Sequence, residues 1–153
     1  MIVVSDTSPL TALLTVGADG LLPQLFKEVI IPEAVRDELL ACHSPLPSWL
    51  RVARASDAAQ IAKYRAILDA GEAEAILLAR ELHADRLLID ERKGRKLAAQ
   101  EGVPVIGLLG VVLLARRKGL IPSARALLLC LETEAGIYLS EDIRNQALKT
   151  VGE

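Results

Sequence analysis

The 153-residue chain has few aromatic residues: one Phe, one Trp and two Tyr make up 3% of it. Its core must therefore be built from Leu, Ile, Val and Ala, and a hydrophobic content of 52% excludes a disordered chain. Histidine is as scarce. His43 and His83 stand apart from each other and from any cysteine pair, which excludes a zinc site of ordinary ligand spacing. Cys42 and Cys130 share no close spacing and are expected to be reduced thiols, small core residues of a cytoplasmic protein. Long apolar runs are missing too. The longest, around Leu108 to Ala115, falls far short of the ~20 residues that span a bilayer. No basic segment precedes the apolar start, so no secretory signal is expected. Nor does one sign of charge dominate: 18 basic against 20 acidic residues leave a net charge of −2, which excludes a polyanion binder acting through its overall field. Gly107-Leu108-Leu109-Gly110 lacks the third glycine of a dinucleotide fingerprint, and there is no P-loop lysine.

What is present is an alternation of short apolar runs with helical periods. Ile2 to Ser5, Val29 to Ile31, Leu87 to Ile89 and Val103 to Ile106 read as strands, with Trp49 to Ala53 a weaker edge strand. Helices are predicted from Ser8, with Pro9 in first position, to Thr15, then near Leu21 to Phe26 and from Pro32 to about Ala41. Further helices are predicted over Asp57 to Leu68, Gly71 to Leu82, Arg92 to Glu101, Leu108 to Lys118, Ser123 to Glu134 and Glu141 to Leu148. Strands alternating with helices imply an α/β fold, a parallel sheet covered by helices on both faces. No linker or repeat divides the chain. Residues 1–153 are expected to form a single domain whose part from about residue 122 is helical.

Acidic residues stand where these strands should end or helices begin. Asp6 follows Ile2-Val3-Val4-Ser5, and Asp90 follows Leu87-Leu88-Ile89. Glu38 lies in the helix after Val29-Ile30-Ile31-Pro32, beside its apolar stripe, where a half-buried carboxylate is costly unless paired or metal-bound. Ligands of an open parallel sheet bind outside the carboxyl ends of its strands. Carboxylates converging there without histidine or cysteine describe a hard-cation site for Mg²⁺ or Mn²⁺, suited to metal-dependent phosphodiester chemistry.

Glu72 and Glu74 are two positions apart on a helix, about 200° of rotation, so both cannot face one site. Glu72 reads equally as a complement to the helix dipole and Glu74 as a capping-box acid. The choice between them stays open, leaning to Glu74. Asp90 has an alternative as a helix N-cap, with Glu91 as its substitute. Arg92, Lys93, Arg95 and Lys96, directly after Asp90, are placed to hold a phosphate backbone. The later run Arg116-Arg117-Lys118 reads as a solvated helix end.

Five stretches, VVSDTSPLTALL, VIIPEAVRDEL, GEAEAILLA, LLIDERKGRKLA and GLLGVVLLARRKGLI, resemble in order the PIN-domain nucleases, especially the compact prokaryotic branch related to VapC-like toxins. The resemblance implies a Rossmann-like sheet, an acidic pocket for Mg²⁺ or Mn²⁺ and endonucleolytic cleavage of RNA. It places the family's acids on Asp6, Glu38, Glu74 and Asp90, with Thr7 or Ser8 supplying a hydroxyl near the metal. The match departs from the family in two places: a glutamate stands where aspartate is usual, and Ile89-Asp90-Glu91 replaces the usual Thr-x-Asp. The same resemblance implies a homodimer silenced by an antitoxin. Competing expectations are a non-catalytic PIN-like module binding RNA or protein, and a small-molecule phosphatase. The latter needs a second aspartate that Asp6-Thr7-Ser8 does not provide.

Overall fold

The structure is a computed structural model that describes residues 1–153. Five parallel strands form its one sheet: β1 (Ile2–Ser5), β2 (Glu28–Ile31), β3 (Leu50–Val52), β4 (Arg86–Leu88) and β5 (Val105–Ile106), in the order β3-β2-β1-β4-β5. The first strand is central. The chain winds outward from it in one direction through β2 and β3, then returns to its other side for β4 and β5. The reversal between β1 and β4 is the topological switch point, where open α/β sheets leave a crevice at the carboxyl ends of their strands.

Nine helices cover the sheet: α1 (Thr7–Thr15), α2 (Leu21–Leu25), α3 (Glu33–Cys42), α4 (Ala58–Arg65), α5 (Ala70–Glu81), α6 (Arg92–Gln100), α7 (Leu108–Arg117), α8 (Ala124–Glu134) and α9 (Glu141–Thr150). Successive strand residues divide between two cores. Val3, Val29, Ile31 and Leu88 pack with residues of α1, α2, α7 and α8. Val4, Ile30, Leu87 and Ile89 pack with α5 and with Ala98 of α6. Burial on both faces explains why the strands read as continuous apolar runs rather than alternating ones. No helix is long and apolar enough to cross a membrane.

The α/β expectation holds, and three local readings are corrected. The helix after β1 starts at Thr7, not Pro9, and its N-cap is Asp6, not Ser8. Asp6 remains extended (φ −79°, ψ 174°) because its N–H still donates to Leu88 O at 2.9 Å, continuing the sheet by one residue. Pro9 is tolerated at the third helical position because that N–H has no helical acceptor in any case. The fifth helix starts at Ala70 with Asp69 as N-cap, two residues before the expected cap at Gly71. Finally, Cys42 and Cys130 are free and exposed rather than core residues, since each lies on the outer face of its helix.

Candidate metal centre

A cavity of about 460 Å³ opens at the switch point. Its lining has five carboxylates (Asp6, Glu38, Asp69, Glu72 and Glu91), the hydroxyls of Thr7, Ser8, Thr11 and Thr15, and no basic residue. Thr7, Thr11 and Thr15 follow one another at helical spacing, so α1 turns a hydroxyl stripe to the cavity while Leu10 and Leu13 go to the core. Ala135 and Ile137, between α8 and α9, close the far side.

Asp6 sits at the carboxyl end of the central strand and is buried, yet its side chain makes no capping bond. Burial, with the charges of Asp69, Glu38 and Asp90 adding to it, raises its pKa to about 6; the Thr7 backbone N–H opposes the shift. Glu38 reaches the cavity from α3 and accepts a 2.6 Å bond from Thr7 Oγ1. It can lie close against α5 because residue 71 is glycine: a Cβ there would stand 2.8 Å from Glu38 Oε1.

Asp69 and Glu72 are the N-cap and third residues of α5, and Asp69 Oδ1 accepts from Glu72 N at 2.8 Å, the N-cap half of a capping box whose return bond is absent because the Glu72 side chain turns into the cavity. Glu72 Oε2 is buried without any hydrogen-bond partner. It faces Gly94 of α6, where a Cβ would lie 3.1 Å from it and 2.6 Å from Ile89 Cδ1. Burial raises the pKa of Glu72, reinforced by the neighbouring Asp69 carboxyl and by the charge of Asp6.

The structure separates Glu72 from Glu74, as the 200° argument requires. Glu72 turns into the cavity. Glu74 Oε1 instead accepts from Ala34 N at 3.2 Å, capping the α3 N-terminus that Pro32 has no side-chain donor or acceptor to cap. Asp90 also lies outside the acidic cavity. Its Oδ1 accepts from Leu108 N at 2.9 Å and so caps α7 from the end of β4. Packing of this carboxyl raises its pKa, against the Leu108 bond and the charge of Arg95. Glu91, one residue on, takes the place in the cavity.

Arg92, Lys93, Arg95 and Lys96 are all exposed on α6, and none forms an ion pair. Arg92 and Arg95 line a groove of about 820 Å³ that runs from Asp90 along α7. The residue missed by sequence reasoning is Asp69. Its signal was present as Asp69-Ala70-Gly71-Glu72, an acid followed three positions later by glutamate just before an apolar helical period.

A family model described as "DUF3368: PIN domain" matches residues 2–153. Comparison with curated proteins finds no match. PIN domains are generally nucleases and usually use divalent metal ions. The side chains at the switch point suit such an ion: oxygen donors only, a surplus of unpaired negative charge, and a buried Glu72 oxygen lacking any donor. As they stand, no three of them are grouped tightly enough to hold an ion. Holding one therefore entails drawing the exposed Glu38, Asp69 or Glu91 toward the buried pair Asp6 and Glu72.

Proposed function

The chain belongs to the PIN-domain family, and on that premise we propose that it is a metal-dependent endoribonuclease using Mg²⁺ or Mn²⁺. The observation that carries this reading is the five-carboxylate cavity without a basic residue, centred on buried Asp6 and Glu72. Asp6, Glu72, Asp69, Glu38 and Glu91 are the residues that would hold the cation. When bound, a divalent cation offsets carboxylate repulsion and the charge that builds at a phosphodiester, and makes water a competent nucleophile near neutral pH.

The chain's own residues have separable tasks. Thr7 fixes the orientation of Glu38 through its 2.6 Å bond. Asp69, held to the first turn of α5, places a second carboxyl beside Glu72, a pairing that a cation would relieve. Glu74 holds the start of α3, the helix that carries Glu38, and Asp90 holds the start of α7 beside the basic groove. Arg92, Lys93, Arg95 and Lys96 offer phosphate contacts next to the cavity without neutralising it. A role as the toxin of a toxin–antitoxin pair, with a cognate antitoxin, a homodimer and a cytoplasmic setting, is supported by the resemblance of the five stretches to VapC-like proteins.

The test is incubation of a mixed tRNA and mRNA pool with the protein and Mg²⁺ or Mn²⁺, beside EDTA and Asp6→Asn controls. Discrete fragments absent from both controls are expected. Calorimetric cation binding without cleavage would instead identify a non-catalytic module.

A further inference from the structure

Of the four aromatic side chains, three belong to the packed interior: Phe26 and Tyr64 are buried, and Trp49 packs against the larger core. Tyr138 is 87% exposed, more than any other large hydrophobic residue of the chain. It does not lie on a loose segment. Its neighbours Ile137 and Leu139 pack against the core, Ile137 N donates to Leu131 O at 3.2 Å, and Ser140 caps the helix that follows. The backbone on both sides is thus anchored inward, and the ring is held outward.

Its position matters more than its exposure, because single exposed apolar residues are common. Tyr138 lines a mostly apolar cavity of about 350 Å³. Ile137 is shared between that cavity and the acidic one. Asp90, Leu109 and Leu139 are shared between it and the groove that carries Arg92 and Arg95. An acidic site, an apolar recess with an aromatic rim and a basic groove therefore run side by side. They match, in order, the scissile phosphate with its cation, an unstacked base, and the flanking backbone of a single-stranded nucleic acid.

From this juxtaposition we infer that Tyr138 is a stacking platform for one nucleobase of single-stranded RNA, the base seated over the recess between Ile137 and Leu139. The inference rests on the nuclease reading above, but it concerns binding rather than cleavage. A phenol ring presents a flat apolar face at small conformational cost, and stacking on it tolerates any base, so the platform positions the strand without selecting sequence.

The experiment measures binding of a short fluorescein-labelled single-stranded RNA in Mg²⁺ by Asp6→Asn protein, which leaves the RNA uncut. The RNA is offered intact and as a series with one abasic position moved along it. Tyr138→Ala should weaken binding roughly 5- to 100-fold. Tyr138→Phe and Tyr138→Trp should retain it within about twofold, and all three should melt with the parent because the ring supports no packing. One abasic position should weaken binding by the Tyr138 protein and have no effect on Tyr138→Ala. Equal affinity of Tyr138→Ala and the parent overturns the inference, as does an abasic effect that persists without the ring. So does a Tyr138→Ala protein that loses self-association but not RNA, which would make the ring a contact with a second copy. The two readings fail separately. Ring-dependent RNA binding without cleavage by wild-type protein removes the nuclease, whereas cleavage by wild-type protein together with RNA binding that does not depend on the ring removes the platform.

Discussion

Two corners of this molecule treat charge in opposite ways. In the corner where α8 begins, the Glu153 carboxylate accepts from Ala124 N at 2.7 Å, Ser123 Oγ at 2.9 Å, Arg116 Nε at 3.1 Å and Arg125 N at 3.2 Å. These donors, the Ala124 backbone N–H foremost, push its pKa down to about 2. At the switch point the Asp6 carboxyl is buried with no capping bond and a Glu72 oxygen has no donor at all, and both pKa values move up. Cations divide the same way. Arg116 is engaged by Glu153, while Arg92, Lys93, Arg95 and Lys96 form no ion pair. Charges that hold the fold together come with their partners. Unpaired charges, gathered on either side of one crevice, are available to a ligand, and the buried ones, Asp6 and Glu72, weaken the fold until it arrives.

The strongest way to break this contrast is Asp6→Asn. Cleavage should fall by roughly 100- to 1000-fold, the scale of losing one preorganised electrostatic group. The metal-free variant should nevertheless melt above the parent at pH 8, because an unpaired buried charge is gone. A lower melting point would show that Asp6 has a stabilising partner. The cationic half of the contrast is tested by neutralising Arg92, Lys93, Arg95 and Lys96 together. Fewer counterions would then be released, and the slope of log affinity against log salt should flatten by up to about 3 for single-stranded RNA. The same measurement on Arg116→Gln should leave the slope unchanged.

Acid–base titration sharpens the comparison further. Glu153, lowered from 4.5 to about 2, contributes stability above pH 4.5 that is lost as the pH falls through this range. Asp6, raised from 3.8 to about 6, acts with the opposite sign. Between those values the folded protein keeps a proton that the unfolded chain has released, so stability declines as the pH rises. Metal-free protein should therefore be most stable near about pH 4 and lose stability toward pH 8, Asp6 alone contributing on the order of 2–3 kcal/mol and the raised Glu72 and Asp90 acting in the same direction. Mn²⁺ should restore it, more at pH 8 than at pH 5, in thermal melts.

The smallest effects separate two glycines. Gly94→Ala would drive a Cβ to 2.6 Å from Ile89 Cδ1 in a packed core and should destabilise by about 1–3 kcal/mol in denaturant titration. Gly71→Ala meets only the tip of exposed Glu38, which can swing aside. It should leave stability nearly unchanged while slowing cleavage.

Most of the architecture was legible because a sheet buried on both faces leaves uninterrupted apolar runs, and the helical segments between them were clearly marked. Asp6 stood out for the same reason, as an acid directly beyond such a run. The centre was less legible where phase decides. Taking Gly71 as the cap of α5 put Glu74 at the third helical position, although Asp69 is the cap and Glu72 occupies that place. A shift of two residues on a helix exchanges opposite faces, so the choice between the two glutamates stayed open, with a lean to the one that the structure turns out of the cavity, and Asp69 went unnoticed. Asp90 and Glu91 present the same difficulty at a strand end, where one residue separates a carboxyl that caps α7 from one that lines the cavity.

The bond from Ala34 N to Glu74 Oε1 has a mechanical consequence. It pins the start of α3 to a residue only two positions from Glu72, so the helices bearing Glu38 and Glu72 are tied near the mouth of the crevice. The backbones of those two helices are then held at a set spacing, and the gap between the two carboxylates changes through rotation of the exposed Glu38 side chain rather than by rocking one helix alone. Glu74, turned out of the cavity, thus sets the frame within which Glu38 moves.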